Sequence, residues 1–154
     1  MAPLIVMVVV WIAARAIGAL GVWSAAGSWS YALRPALAAM FLFTAVSHFH
    51  PRTRNDLIRM VPASMPSPPT LVALTGICEL LGAIGLLVPL TIVPAAWGLM
   101  LLLVAMLPAN VHAARAGLTV AGRRASPLVW RLPLQVFWIG ALWWVAHVAG
   151  RLSV

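Results

Sequence analysis

Five apolar stretches, each near or above the ~18–20 residues that cross ~30 Å of hydrocarbon, leave this chain few ways to fold. They run over residues 3–23, 35–50, 70–90, 94–113 and 129–149. In lipid, every backbone polar group has to be satisfied inside the protein, and apolar stretches of this length do so as helices. Only 8% of the 154 residues are charged and 64% are apolar, whereas about a quarter of a soluble domain is charged. The expectation is all-α: a polytopic membrane helix bundle forming one domain over residues 1–154.

Proline and glycine punctuate the pattern. Pro35, Pro69 and Pro94 stand near helix starts, where a missing N–H costs little. Gly27, Ser28 and Ser30 mark the first turn, and Gly117 with Gly122-Arg123-Arg124 a later one. The run Pro62-Ala63-Ser64-Met65-Pro66-Ser67-Pro68-Pro69 has to be loop. The second stretch is the shortest, at the lower limit for spanning. Residues 1–24 lack the basic start and small-residue cleavage site of a signal peptide, and Arg15 interrupts their apolar run. They read as a retained membrane helix.

All basic charge is arginine, giving a net +8. Arg52, Arg54, Arg59, Arg115, Arg123, Arg124 and Arg131 fall on one side of the five-span topology, against Arg34 and Arg151 on the other. Seven against two places the loops 51–68 and 114–128, and the N-terminus, in the cytoplasm of a cell whose inner (plasma) membrane the chain spans several times. Arginines arranged in this way face an anionic leaflet rather than nucleic acid, so the partner surface is the lipid bilayer. Within the first basic loop, Leu57, Ile58, Met60 and Val61 fit either a short interfacial helix or a solvated turn. Trp23, Trp29, Trp130, Trp143 and Trp144 fall near segment ends, as an interfacial aromatic belt does. Trp97 and Trp138 lie deeper. The lone cysteine, Cys78, allows no internal disulfide.

Glu79 is the acid that matters. The other, Asp56, sits in a polar loop, but Glu79 lies about ten residues beyond Pro69, hence ~15 Å deep. A charge at mid-bilayer costs roughly 3 kcal/mol by insertion scales, so the residue has to face a partner, a pocket or a substrate. Helical spacing puts it on one stripe with Thr75, Gly76, Gly82, Ala83 and Leu86, the small-residue face by which membrane helices approach one another. Phe41, Thr44 and His48 share a face of the second stretch, and Arg131, Gln135, Trp138 and Leu142 one of the fifth. Pro108 frees the carbonyl of Val104 near Asn110. The result is a funnel with His48, Asn110, Arg131 and Gln135 at its mouth and Glu79 at its floor. Arg15, ~18 Å deep in its own stretch, is the other mid-membrane charge, and an Arg15–Glu79 ion pair would tie the first helix to the rest. No metal centre is expected, since His48 and His50 point apart on a helix.

Several landmarks carry a family resemblance: Ser47-His48-Phe49, Met60-Val61-Pro62 with Pro66, Thr75-Gly76-x-x-Glu79-Leu80-x-Gly82, Pro108-Ala109-Asn110, and Arg131-Leu132-Pro133-Leu134-Gln135. In this order they resemble the DoxX-like membrane proteins over residues 34–150. The resemblance implies a four-helix core, with residues 1–24 as an additional N-terminal helix. It also implies redox or lipophilic small-molecule chemistry, and a shared pocket from His48, Glu79, Asn110 and Gln135.

Three functions then compete. The first is a binder of a lipophilic small molecule such as a quinone, in a cytoplasm-facing cavity of a membrane redox system. Glu79 would be the buried acceptor or proton donor, with His48 the other catalytic candidate. His48, Asn110 and Gln135 would orient the ligand's polar head, and Thr44, Thr75 and Arg131 would also bind it. The sequence names no cofactor, so electrons would come from a redox partner protein. The second is an acid-catalysed isomerase or cyclase of a terpenoid-like substrate, with Glu79 as general acid and Phe41, Trp97 and Trp138 sheltering a cation. The third is a scaffold subunit in which Arg15 holds Glu79.

Overall fold

A computed structural model describes residues 2–22, 28–120, 122–124 and 127–152. Trp23 of the aromatic belt and Gly27 of the first turn lie outside the described residues. The chain is an all-α bundle. Helix α1 covers Ala2–Ala19, α2 Trp29–Phe49, α3 Pro51–Met60, α4 Pro68–Gly85, α5 Ile92–Ala105, α6 Leu107–Arg115 and α7 Leu128–Leu152. A two-residue antiparallel pairing, Thr119–Val120 with Arg123–Arg124, closes the turn before α7. Gly117 and Gly122 supply the left-handed backbone there, at φ 61° and 75°. Five helical stretches are long and apolar enough to cross a membrane: α1, α2, α4, the run Pro89–Arg115 that includes α5 and α6, and α7. The chain is a membrane protein.

Helices α2, α4, α5 and α7 form a ring in which each packs on the next and α7 returns to α2; α1 packs outside, on α2. Helices α3 and α6 and the small hairpin gather at one end, here the basic end, where α2 finishes and α4 and α7 begin. Packing relies on missing side chains. A Cβ on Gly82 would lie 2.5 Å from Leu99, and one on Gly85 2.7 Å from the Ala95 Cβ, so α4 and α5 meet backbone to side chain. The buried stripe of α4 is Val72, Gly76, Glu79, Ala83 and Leu86, while Leu74, Ile77, Leu81 and Ile84 face outward. That is the periodicity read from the sequence.

Two boundaries differ from the sequence reading, and a third that it left open is decided. The second span is not short: α2 starts at Trp29, six residues before Pro35, and holds that proline in its interior. Its start is set instead by Ser28, whose hydroxyl accepts from the Tyr31 N–H at 3.4 Å. The fourth span is broken at Met106 into α5 and α6, with Pro108 as the second residue of α6. The first basic loop resolves as helix α3. His50 caps it by accepting from the Arg52 N–H at 3.2 Å, so His48 and His50 belong to different helices.

Candidate functional site

Two polar networks occupy the basic half of the bundle. The first joins α2 to α4. His48, one residue from the end of α2, donates through Nδ1 to the Val72 carbonyl at 2.9 Å. Its Nε2 lies 3.4 Å from Glu79 Oε2. Glu79 is 2% exposed and His48 8%. The hydroxyl of Thr44, one turn before His48, donates to the Phe41 carbonyl at 2.9 Å and stands beside the Glu79 carboxyl. A carbonyl only accepts, so Nδ1 carries its hydrogen, and Nε2 of the neutral ring is left with a lone pair toward Glu79. A proton held in the gap would sit on the carboxyl facing a neutral ring, or on Nε2 facing a carboxylate. Oε2 is buried with no hydrogen bond that meets ordinary geometry, so the pair is in contact without being locked.

Depth alone separates these residues by about two turns, since Glu79 is seven positions beyond Val72 on α4. Two features bring them together. Helical side chains lean toward the helix N-terminus, which carries the Glu79 carboxyl back toward the basic end. Gly76, one turn earlier, opens the space: a Cβ there would stand 2.6 Å from the His48 Cβ and 2.9 Å from the Phe49 ring.

The second network joins α6 and α7 to the last turn of α5. Arg131 Nη1 donates to Asn110 Oδ1 at 2.9 Å, Asn110 Nδ2 donates to Gln135 Oε1 at 3.3 Å, and Gln135 Nε2 donates to the Leu103 carbonyl. The sequence placed the freed carbonyl at Val104. At the break the Met106 N–H still closes on the Leu102 carbonyl at 3.0 Å, and Leu103 is the carbonyl that faces α7 and takes the Gln135 amide. Replacing Gln135 with Leu strands that carbonyl and the Asn110 amide. It is expected to lower stability in detergent unfolding by ~1–3 kcal/mol, the cost of unsatisfied buried groups.

The predicted residues therefore divide. His48, Glu79 and Thr44 form one group, and Asn110, Arg131 and Gln135 another, with no hydrogen bond joining them. Thr75 donates to the Leu71 carbonyl within α4 and faces a cavity of about 220 Å³ between α4 and the α5–α6 junction, roofed by Val61 and Met65 and also walled by Cys78 and Met106. Trp97 is 53% exposed on the outer surface of α5, and Phe41 is sealed in the core. Trp138 packs half-buried against the core, its Nε1 buried without an acceptor. None of these three aromatics lines that cavity or the one between α1, α2 and α7. Among the described residues no trio of His, Cys, Asp or Glu gathers as metal ligands.

The Arg15–Glu79 ion pair does not form. Helix α2 stands between α1 and α4, and Arg15, four residues from the end of α1, reaches instead over the Trp29 ring at 5.8 Å, at the end opposite His48. Three participants were invisible to the sequence reading. The Val72 and Leu103 carbonyls carry no side-chain signal. A second cavity, between α1, α2 and α7, is foreshadowed only by Met7, Val8 and Trp11 sharing a face of α1.

A family model described as Domain of unknown function (DUF8561) matches residues 37–146. The match runs from within α2 into α7 and takes in both networks, leaving α1 outside. No curated protein and no solved structure matches the chain.

Proposed function

We propose, for a chain that belongs to the DUF8561 family, that it binds a lipophilic molecule of the quinone type and exchanges a proton with it, as the membrane part of a redox system. The observation that carries this reading is the His48–Glu79 pair: two buried titratable groups 3.4 Å apart. A pair serving only as glue would do best with both oxygens saturated, and here Oε2 is not. The 220 Å³ cavity is walled by Thr75, one turn before Glu79 on α4, and by Cys78 beside it, while Glu79 and His48 lie behind that wall rather than in it. Converting a quinone to its quinol takes two electrons and two protons. The electrons come from a redox partner protein, and the pair passes protons one at a time, reloading between steps. The resemblance to DoxX-like proteins supports the same reading. The arginine bias supports an N-terminus in the cytoplasm of the plasma membrane, which puts the basic end and the cavity on the cytoplasmic side.

The test is decylubiquinone binding to the protein in nanodiscs. Saturable binding is expected, weakened about tenfold by Glu79→Gln, which corresponds to ~1.4 kcal/mol. Filling the cavity with Cys78→Trp should abolish it. Uptake that does not saturate, or that is equal in wild type and both variants, contradicts the proposal.

A further inference from the structure

The end of the bundle opposite His48 holds a second site with different chemistry. Helices α1, α2 and α7 border a half-open cavity of about 510 Å³, within the range of small-molecule sites, whose walls include Trp11, Trp29, Leu33, Gly140 and Trp144. It offers almost nothing to hydrogen-bond. At its edge stands Arg15, whose guanidinium lies 5.8 Å from the centre of the same Trp29 ring. Among the described residues Arg15 Nη1 is buried with no acceptor, and one helix turn into α2 so is Arg34 Nε, whose guanidinium rests 4.2 Å above Tyr31. The chain contains two acids; Glu79 faces His48 and Asp56 pairs with Arg59 on α3. Neither is available to these arginines.

A guanidinium cannot shed its charge, and a buried donor without an acceptor is costly. Its complement is an anion, and a cavity of this polarity takes a hydrocarbon chain. We infer that the α1–α2–α7 cavity binds an anionic lipid, its chain lying between α1 and α7 and its phosphate meeting Arg15. Trp11 packs against Trp29 at 4.8 Å and completes the aromatic wall under the guanidinium, holding Arg15 in place as a cation over a ring. Helix α1 lies outside the residues matched by the family model, so this site is one that α1 adds to the bundle. It is separate from the proton-exchanging pair, and either can fail without the other.

Tryptophan emission reads the site, because three of its walls are indoles. The protein is reconstituted in phosphatidylcholine vesicles carrying small fractions of brominated phosphatidylglycerol or, separately, brominated phosphatidylcholine. The brominated anionic lipid is expected to quench at a mole fraction about fivefold lower, the factor one arginine contributes against anionic lipid. Arg15→Gln should erase that preference. Gly140→Leu should erase it too while leaving both arginines intact, since Gly140 lines the cavity and has open space where a side chain would go. Inorganic phosphate should leave the preference in place. Equal quenching by the two lipids in wild type overturns the inference, as does a preference that survives both substitutions. Loss of the preference on adding phosphate would show a free-anion site and overturn it as well.

Discussion

His48→Leu is expected to be the most damaging single substitution in the core. It should cost roughly 3–5 kcal/mol in reversible unfolding from mixed micelles, the range for removing one partner of a buried pair. The leucine fills the space but leaves Glu79 Oε2 with nothing to face and strands the Val72 carbonyl's second acceptor site. Adding Glu79→Leu to that background should recover most of the loss, because two apolar side chains of similar volume replace two groups that each needed the other. The coupling between the substitutions, read from the four-member cycle, is expected to exceed the ~0.5 kcal/mol scatter of independent sites severalfold. Additive effects would mean that the residues merely sit near one another. Glu79→Gln separates function from stability: it keeps the shape and removes the exchangeable charge.

Gly76→Val is the second large effect. The new Cβ would fall 2.6 Å from the His48 Cβ and 2.9–3.0 Å from the Phe49 ring, and neither the root of a side chain nor a ring edge can yield cheaply. Helix α2 has to move off α4. Overpacking of this kind costs ~1–3 kcal/mol, but the greater consequence is geometric, since the displacement opens the His48–Glu79 gap. Quinone binding should fall as far as in Glu79→Gln while the protein remains helical. Gly98→Val is the control, because a Cβ there meets nothing within 4 Å. It should leave both stability and binding within experimental scatter. A Gly76→Val protein that binds as wild type would detach the pair from the function.

The bundle could be read from the sequence because lipid leaves a long apolar run only one solution, and the buried face of α4 because small residues recur there at helical spacing. Helix bounds were less legible. Prolines near segment starts suggested boundaries at 35 and 94, yet α2 absorbs Pro35 and α5 begins two residues before Pro94. A proline is compatible with a helix interior when packing supplies what its missing N–H gives up. Within the site, the individual residues were legible and their pairings were not. Glu79 stood out as an acid in an apolar run, but equal depth counted from helix ends suggested Arg15 as its partner. What decides the pairing is lateral order around the ring, which places α2 between α1 and α4, together with the backward lean of the Glu79 side chain. Neither is encoded in the spacing of residues along one helix. The backbone carbonyls of Val72 and Leu103 were out of reach for a similar reason: each is used only because a side chain from another helix arrives there.

Nitrogen-15 NMR of histidine-labelled protein in bilayers reads the pair most directly, with the His48 signals assigned by their loss in His48→Leu. Nδ1 of His48 is predicted to carry a hydrogen, bonded to a carbonyl, and the Nε2 resonance to shift by a clear margin in Glu79→Leu while Nδ1 stays where it was. A ring whose hydrogen is on Nε2 alone, or an Nε2 signal indifferent to the loss of Glu79, would contradict the pairing on which the proposed proton exchange rests.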